Sequence, residues 1–384
     1  MDTVRAACGW VRRSLTVALL SVCAFAVSAC GSDDDSRPVL AAETVARLDA
    51  AVAERMATDG LPGAVVWVSI PGEGDYIVAR GVANRATGAA RRIDEPFRIA
   101  SITKAFIGTA VLQLADQGRL SVTDKLSKWY PGFPQADLVT VDDLLRMHSG
   151  IADSADAAFL AEYYANPLLP LTPDDMIRRA AARASQFAPP GRNSVYTNVN
   201  FMLLEQIVTK VTGREIGAYL RDAVFEPLGM SSTTYPTGST LPGTLRGYSV
   251  DAASGAFEDR TVLNPTPAGG AGAMVSTAAD LAIYARALCT GRLLAPQTQQ
   301  ARLRTDRLAG APDFVGYGQG VIRFGRFCGH NGTIFGFSSE LWYLPEKDAV
   351  VVIDVNRLDL DDASKSTNLF AQVTKILFPE LVDW

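Results

Sequence analysis

Histidine and cysteine are scarce in this sequence, and long apolar runs are missing after residue 40. The 384 residues include two histidines and five cysteines, with a formal net charge of −5 at pH 7. Because metal clusters draw on several such side chains, the composition gives no support for a metal site. A mildly acidic chain also gives no support for nucleic-acid binding. Internal repeats and low-complexity tracts are missing as well, so the sequence predicts an ordinary globular domain.

The first 29 residues have the composition of a targeting segment. A basic start precedes an apolar stretch, residues 15–27, which is short for a bilayer-spanning helix. The residues around Cys30 resemble a bacterial lipobox with cleavage before that cysteine, and an ordinary signal peptide is the alternative. With cleavage there, Cys30 would carry the acyl chains and residues 30–41 would form a hydrophilic tether. We therefore expect an exported protein, anchored by lipid to the bacterial cell envelope.

Segments with strand patterns flank a long helical part, residues 101–245. Strands are predicted at 64–70, 76–80, 316–324, 333–344 and 349–355, and terminal helices at 43–57 and 363–377. We therefore expect one α+β domain over residues 42–384, in which 42–100 and 246–384 share an antiparallel sheet and the helical part is inserted. In an exported chain, Cys289 and Cys328 either form a disulfide or remain buried thiols.

The stretch Ser101-Ile102-Thr103-Lys104 carries the first candidate chemistry. Apolar residues follow it at helical spacing, which predicts a helix that buries one face and begins near Ser101. A serine and a lysine three residues apart are neighbours on a helix, so the Lys104 amine would touch the Ser101 hydroxyl. The helix N-terminus favours negative charge developing beside the serine. The pair is therefore a candidate activated nucleophile, although serine is also a common helix cap.

Tyr196 and Asn198 are the second candidate group, because they lie between a Pro-Pro-Gly turn and a predicted helix. A lysine near a tyrosine favours the phenolate, so we expect the pKa of the Tyr196 phenol to be lowered and the phenolate to take the serine proton. Asn198 would orient the substrate amide. The same spacing recurs at Tyr164 and Asn166, but Asn166 runs directly into a proline.

A third group lies in a glycine-rich strand region, at His330-Asn331-Gly332-Thr333. Many glycines in a strand indicate that a backbone or a ligand approaches closely. The Thr333 N–H and the Ser101 N–H would then form a two-donor oxyanion hole. The other histidine, His148, ends a short predicted helix, and we interpret it as structural.

Together, in this order and at these wide spacings, the three motifs resemble those of class C β-lactamase-related serine hydrolases. The resemblance covers about residues 42–380 and is closest to the branch with histidine in the third motif, which contains D-alanyl-D-alanine carboxypeptidases. It implies a β-lactamase/DD-peptidase-like fold, with an antiparallel sheet flanked by helices and an inserted all-α domain. Ser101 would attack a carbonyl, Lys104 and Tyr196 would share the proton, and Asn198 and His330 would position the substrate and the proton network. The resemblance implies no metal and no cofactor.

One position departs from the family pattern, since Asn331 stands where a Thr or Ser hydroxyl usually helps to bind a substrate carboxylate. Arg323 or Arg326 is a candidate to supply that recognition instead. We expect a D-alanyl-D-alanine carboxypeptidase-like enzyme that acts on a small molecule or a peptidoglycan peptide. A carboxylesterase on the same fold, favoured by Asn331, and a non-catalytic envelope binding protein are the alternatives. The sequence leaves the oligomeric state open.

Overall fold

The computed structural model describes residues 39–251, 254–382 and 384. The predicted signal peptide, residues 1–29, and the candidate lipidation site Cys30 lie outside the described residues. Within these ranges, no helix has the length and apolar character that crossing a bilayer demands.

Thirteen strands and eleven α-helices make up the described chain. The strands are β1 Gly63–Ile70, β2 Gly74–Asn84, β3 Ala89–Ala90, β4 Phe97–Arg98, β5 Tyr248–Val250, β6 Phe257–Asp259, β7 Val275–Ser276, β8 Asp306–Arg307, β9 Val315–Tyr317, β10 Ile322–Phe324, β11 Phe327–Ile334, β12 Phe337–Leu344 and β13 Ala349–Val355. The helices are α1 Ala42–Thr58, α2 Thr103–Asp116, α3 Val141–Leu145, α4 Ala157–Ala165, α5 Pro173–Ala181, α6 Val199–Thr212, α7 Ile216–Leu220, α8 Glu226–Leu228, α9 Ala278–Thr290, α10 Pro296–Arg302 and α11 Lys365–Leu377.

Both ends of the domain contribute to one large antiparallel sheet. Its nine strands run in the order β3-β2-β1-β13-β12-β11-β10-β9-β8, and β1 pairs with β13 from Ala64 opposite Val355 to Ser69 opposite Val350. Among the described residues, no strand of this sheet lies between 91 and 305. The predicted α+β class, with a sheet shared by the two ends, is therefore confirmed.

The central strands are buried on both faces because helices cover both. Every residue of β12 and β13 is buried. Helices α1 and α11 pack together, α11 packs on β12 and β13, and α9 packs on the same two strands. Strands covered on both sides are expected to be largely apolar, as β13 is apart from Asp354, whose buried carboxylate pairs with Arg91 at 2.6 Å. A disulfide between Cys289 and Cys328 links the end of α9 to β11.

Two predicted strands are wrong because each one is a hairpin. Residues 316–324 divide into β9 and β10, which pair antiparallel around a turn at Gly320, where φ is +71°. Residues 333–344 likewise belong to β11 and β12, which reverse direction at Phe335 and Gly336, where φ is +84°. Positive φ at these glycines permits tight turns that other residues form poorly.

Helix α2 lies deeper than its sequence pattern indicates. Its spacing predicts one buried face, whereas residues 103–112 and Leu114 are all buried. The loop between β9 and β10 covers it, and an added Cβ at Gly320 would lie 3.1 Å from the Lys104 carbonyl oxygen. The glycine-rich segment therefore permits the close backbone approach that the sequence predicts for it.

Candidate active site

Ser101 lies in a single 3₁₀ turn, Ala100–Ile102, directly before α2. Ala100 has φ +47°, a left-handed conformation that is uncommon for a residue with a Cβ and that concentrates at active sites. Strand β11 passes this turn at Gly332, where an added Cβ would lie 2.3 Å from the Ile99 carbonyl oxygen and 3.0 Å from the Ser101 nitrogen. A glycine is therefore required here, and it brings the strand edge beside the Ser101 amide.

Lys104 is completely buried and makes three short contacts. Its Nζ lies 2.9 Å from Ser101 Oγ, 2.9 Å from Asn198 Oδ1 and 2.8 Å from the carbonyl oxygen of Ala271. Burial penalises the charged form and lowers the pKa of Lys104 from 10.5 to about 7, and the negative charge of Asp153 partly opposes that effect. Near neutral pH a large share of the molecules therefore hold Lys104 as an uncharged amine.

The uncharged amine has two N–H donors and one lone pair. The Ala271 carbonyl oxygen and Asn198 Oδ1 can only accept, so they take the two N–H groups. The lone pair of the uncharged amine is then left for the third neighbour, Ser101 Oγ at 2.9 Å, whose hydroxyl can donate its proton to it. This arrangement is that of a nucleophile beside its general base.

The lowered pKa expected for Tyr196 is wrong. The ring centroid of Tyr196 lies 4.9 Å from Lys104 Nζ, so the structure does bring the two residues together. Burial nevertheless raises the pKa of the phenol, and a hydrogen bond with Ser101 offsets the effect only in part. An uncharged lysine does little to stabilise a phenolate, and Tyr196 therefore remains a neutral phenol that can donate a proton.

His330 is buried beside Tyr196 and is uncharged. Burial, reinforced by the nearby Lys104, lowers the pKa of His330 to about 3. Its Nδ1 lies 2.5 Å from the Asn331 carbonyl oxygen, so Nδ1 carries the proton, and the Tyr317 hydroxyl donates to Nε2 at 3.3 Å. The Tyr317 ring also packs edge-on against Tyr196, with centroids 5.9 Å apart. His330 and Tyr317 therefore fix the position of the Tyr196 ring.

Both ends of the Asn198 side-chain amide are hydrogen-bonded to other side chains of the protein. Besides its contact with Lys104, its Nδ2 donates to Asp153 Oδ2 at 2.8 Å. Asn198 also lines the cleft, where a substrate amide could reach it. Its predicted role in orienting that amide therefore stays a prediction. Asp153 and Tyr317 were not predicted from the sequence. No motif marks Asp153, and the glycines around Tyr317 were the only signal near that residue.

The alternative candidates from the sequence lie elsewhere. Tyr164 donates to Glu258 at 2.8 Å, and His148 Nε2 lies 3.4 Å from Asp306 Oδ2. Neither residue lines the cleft beside Ser101.

The cleft beside Ser101 has two arms, and Ser101, Asn198 and Thr333 line both. We call the first the aromatic arm, a cavity of about 240 Å³. Its apolar walls include Phe159, Leu160, Tyr163, Met202, Phe335 and Leu360. We call the second the sheet arm, a cavity of about 430 Å³ that also contains Asn331 and Gly332. Its apolar walls include Val315, Ile322, Phe324, Trp342 and Phe370.

None of the described residues that line the two arms is an arginine or a lysine. The prediction that Arg323 or Arg326 recognises a substrate carboxylate is wrong. The Arg323 guanidinium is held by the carbonyl oxygen of Phe314 at 3.1 Å, and Arg326 pairs with Glu346 at 2.9 Å. Both side chains are therefore occupied outside the cleft.

A serine hydroxyl that faces the lone pair of a buried lysine, at the floor of an open cleft, is the catalytic arrangement of a serine hydrolase. The sequence comparisons agree with that class. The sequence model of the Beta-lactamase family matches residues 48–374, and the chain therefore belongs to that family.

The relatives of this chain include a penicillin-binding protein, an esterase and an amidohydrolase. Penicillin-binding protein 4 of Amycolatopsis lactamdurans is 28% identical, over 84% of this chain and 86% of that protein. Esterase EstB of Burkholderia gladioli is 30% identical, over 73% of this chain and 79% of that protein. The crystal structure of a D-stereospecific amidohydrolase from a Streptomyces species superposes with a TM-score of 0.75 at 30% identity, covering 87% of this chain and 97% of that one.

Proposed function

We propose that this serine hydrolase cleaves esters or amides that are neutral on both sides of the scissile bond. The observation that carries the proposal is the lining of the cleft, whose two arms are largely apolar and contain no cation among the described residues. A terminal carboxylate in a substrate would need a charge-assisted partner there. Two carboxyl groups line the arms, and neither is a partner for a substrate carboxylate. Asp359 pairs with Arg357 at 2.6 Å and with Lys365 at 3.2 Å, and the buried Glu340 accepts from Trp342 Nε1 at 2.7 Å.

In the proposed mechanism, each step has its own residue. Lys104 takes the proton from Ser101 Oγ as Oγ bonds to the carbonyl carbon, and the Ser101 and Thr333 amides hold the oxyanion. The bond to the leaving group then breaks as the Tyr196 phenol supplies a proton, which Lys104 restores. Water attacks the acyl-enzyme as Lys104 takes one of its protons. Lys104 then returns that proton to Ser101 Oγ as the acyl C–O bond breaks, which regenerates Ser101 and releases the acid.

A matched pair of peptides tests the substrate class. Acyl-D-Ala-D-Ala and its C-terminal amide differ only in the terminal carboxylate, and we expect kcat/KM to be at least tenfold higher for the amide. Hydrolysis of both must disappear in Ser101→Ala, assayed with the folded variant. A preference for the free carboxylate would contradict the proposal, and activity retained in Ser101→Ala would contradict the nucleophile.

D-alanyl-D-alanine carboxypeptidase activity is the second candidate. It is supported by the similarity to a penicillin-binding protein along most of the chain and by the histidine at position 330. A covalent benzylpenicillin adduct in the intact-protein mass, absent from Ser101→Ala, together with a preference for the free carboxylate, would favour this candidate. Both results would also support the class C-related branch with histidine in the third motif.

We further propose that the protein is exported and carries lipid on Cys30, and the support for this lies in the sequence alone. Labelled palmitate should enter the full-length protein and be absent from Cys30→Ala. An ordinary signal peptide predicts instead that both proteins are processed and remain unlabelled.

A further inference from the structure

An aspartate in the loop after α3 contacts the end of the Asn198 amide that is opposite Lys104. Asp153 is half-buried, and its two carboxylate oxygens have separate partners. Oδ1 accepts from the Ala155 N–H at 3.2 Å, and Oδ2 accepts from Asn198 Nδ2 at 2.8 Å. The first contact fixes the carboxylate within its own loop, and the second one holds the asparagine.

The carboxylate determines which end of the Asn198 amide faces Lys104. An ionised carboxylate has no proton to donate, so the asparagine must present its NH₂ group to Asp153. The carbonyl end, Oδ1, is thereby turned toward Lys104 at 2.9 Å. In the opposite orientation, the NH₂ group would face Lys104 and would donate to the lone pair of the uncharged amine.

The second N–H of the amine is fixed by a different contact. Lys104 Nζ donates to the Ala271 carbonyl oxygen at 2.8 Å, and that residue ends the short turn Gly269–Ala271. The buried carboxyl of Glu205 holds this turn by accepting from the Gly270 N–H at 2.8 Å. With both N–H directions fixed, the lone pair can point only to the remaining neighbour, Ser101.

We propose that Asp153 is a positioning residue that orients Asn198 and thereby directs the Lys104 lone pair to the Ser101 hydroxyl. The inference rests on the proposed Ser101 nucleophile and not on the substrate class. The titratable groups that face Lys104 are Tyr196 and His330, both uncharged, and Asp153 beyond Asn198. Asp153 is therefore the negative charge that acts on this amine.

The test measures the rate at which Ser101 reacts with a fluorophosphonate over a range of pH. Intact-protein mass monitors the reaction. The serine oxygen bonds to phosphorus as fluoride leaves and Lys104 takes the proton, so the rate reports activation of the serine without a substrate. In Asp153→Asn, the amide at 153 can donate to Asn198 Oδ1 and reverse it. We expect the rate to fall at least tenfold, and the acid limb of the pH profile to move to lower pH as the charge is lost.

Two further variants separate this role from a general effect on folding. Asp137→Asn removes the same charge from an exposed position with no hydrogen bond to the cleft, and its rate should stay within twofold of wild type. The double variant Asp153→Asn/Asn198→Asp restores an acceptor facing Lys104. We expect it to recover at least tenfold over Asp153→Asn, with the acid limb moved above that of wild type.

Several outcomes would overturn the proposal. Wild-type rates in both Asp153→Asn and the smaller Asp153→Ala would show that the orientation of Asn198 has no effect. A folded double variant no faster than Asp153→Asn would show that an acceptor facing Lys104 is not what the single variant has lost, and would exclude the orientation of Asn198 as the cause of the defect. Wild type that reacts with the probe but cleaves no neutral ester or amide would contradict the proposed function and leave this test intact. Wild type that does not react with the probe would overturn both.

Discussion

Replacing Lys104 with methionine should abolish hydrolysis and also change how stability depends on pH. Lys104 is completely buried, and its pKa falls from 10.5 in the unfolded chain to about 7 in the folded protein. Between these two values the unfolded chain binds the extra proton, so the free energy of unfolding of wild type rises with pH in that window. Each pKa unit corresponds to about 1.4 kcal/mol. Methionine has no such titration.

The measurable quantity is the free energy of unfolding of Lys104→Met minus that of wild type. At pH 6 the lowered pKa of Lys104 reduces the free energy of unfolding of wild type by nearly its full amount. At pH 10 the reduction is small. The difference should therefore fall by about 4 kcal/mol between pH 6 and pH 10. The comparison across pH removes the constant effect of leaving the Ala271 carbonyl oxygen and Asn198 without a donor.

Chemical denaturation at several pH values gives this difference directly. Lys375→Met is the matched control, because Lys375 is exposed on α11 and should give a difference that does not vary with pH. A flat difference for Lys104→Met across pH 6 to 10 would refute the reasoning, since it would mean that the folded protein holds Lys104 as an ammonium.

Three further changes test the rest of the site. Tyr196→Phe should reduce kcat about 100-fold or more for an amide but much less for a nitrophenyl ester, because a nitrophenolate leaves without a proton. Equal reductions in kcat for the two substrates would contradict the role of the phenol as the acid. Gly332→Ala should lower both activity and thermal stability, because the new Cβ would overlap the Ile99 carbonyl oxygen, whereas Gly238→Ala, with open space around it, should alter neither by much. Leu160 lines both arms, so Leu160→Trp should lower kcat/KM for long acyl esters relative to acetate esters. The control Leu168→Trp, at an exposed position, should leave this ratio unchanged. An unchanged chain-length preference in Leu160→Trp would argue against the arms as the binding site.

Short-range patterns predict the parts of the protein that depend on neighbours in the chain. The spacing of Ser101 and Lys104 within one helical turn gives their contact, and the terminal strands and helices follow from apolar periodicity. The same logic fails for the hairpins at Gly320 and Gly336, because a strand pattern continues on both sides of each glycine and each reversal depends on one positive φ.

The protonation states could not be predicted from the sequence. A nearby lysine lowers the pKa of a tyrosine only if the lysine is charged, and that depends on burial. The structure buries Lys104 completely, which lowers its own pKa to about 7, while burial raises the pKa of Tyr196. We therefore propose the reverse of the expected order of proton transfer, with the amine as base and the phenol as acid.

The sequence by itself determined the three motifs, the contact of Lys104 with the candidate nucleophile Ser101 and the class of fold, because helical spacing and glycine-rich approaches are local features. Tertiary structure alone decided the direction of the Lys104 lone pair and the character of the cleft. The two acceptors that fix the amine, Asn198 and Ala271, are 94 and 167 residues from it in the chain, and Asp153 is a further 45 residues from Asn198. Hydrogen bonds between such distant groups exist only once the sheet and the inserted helices have packed, and no pattern along the chain encodes them.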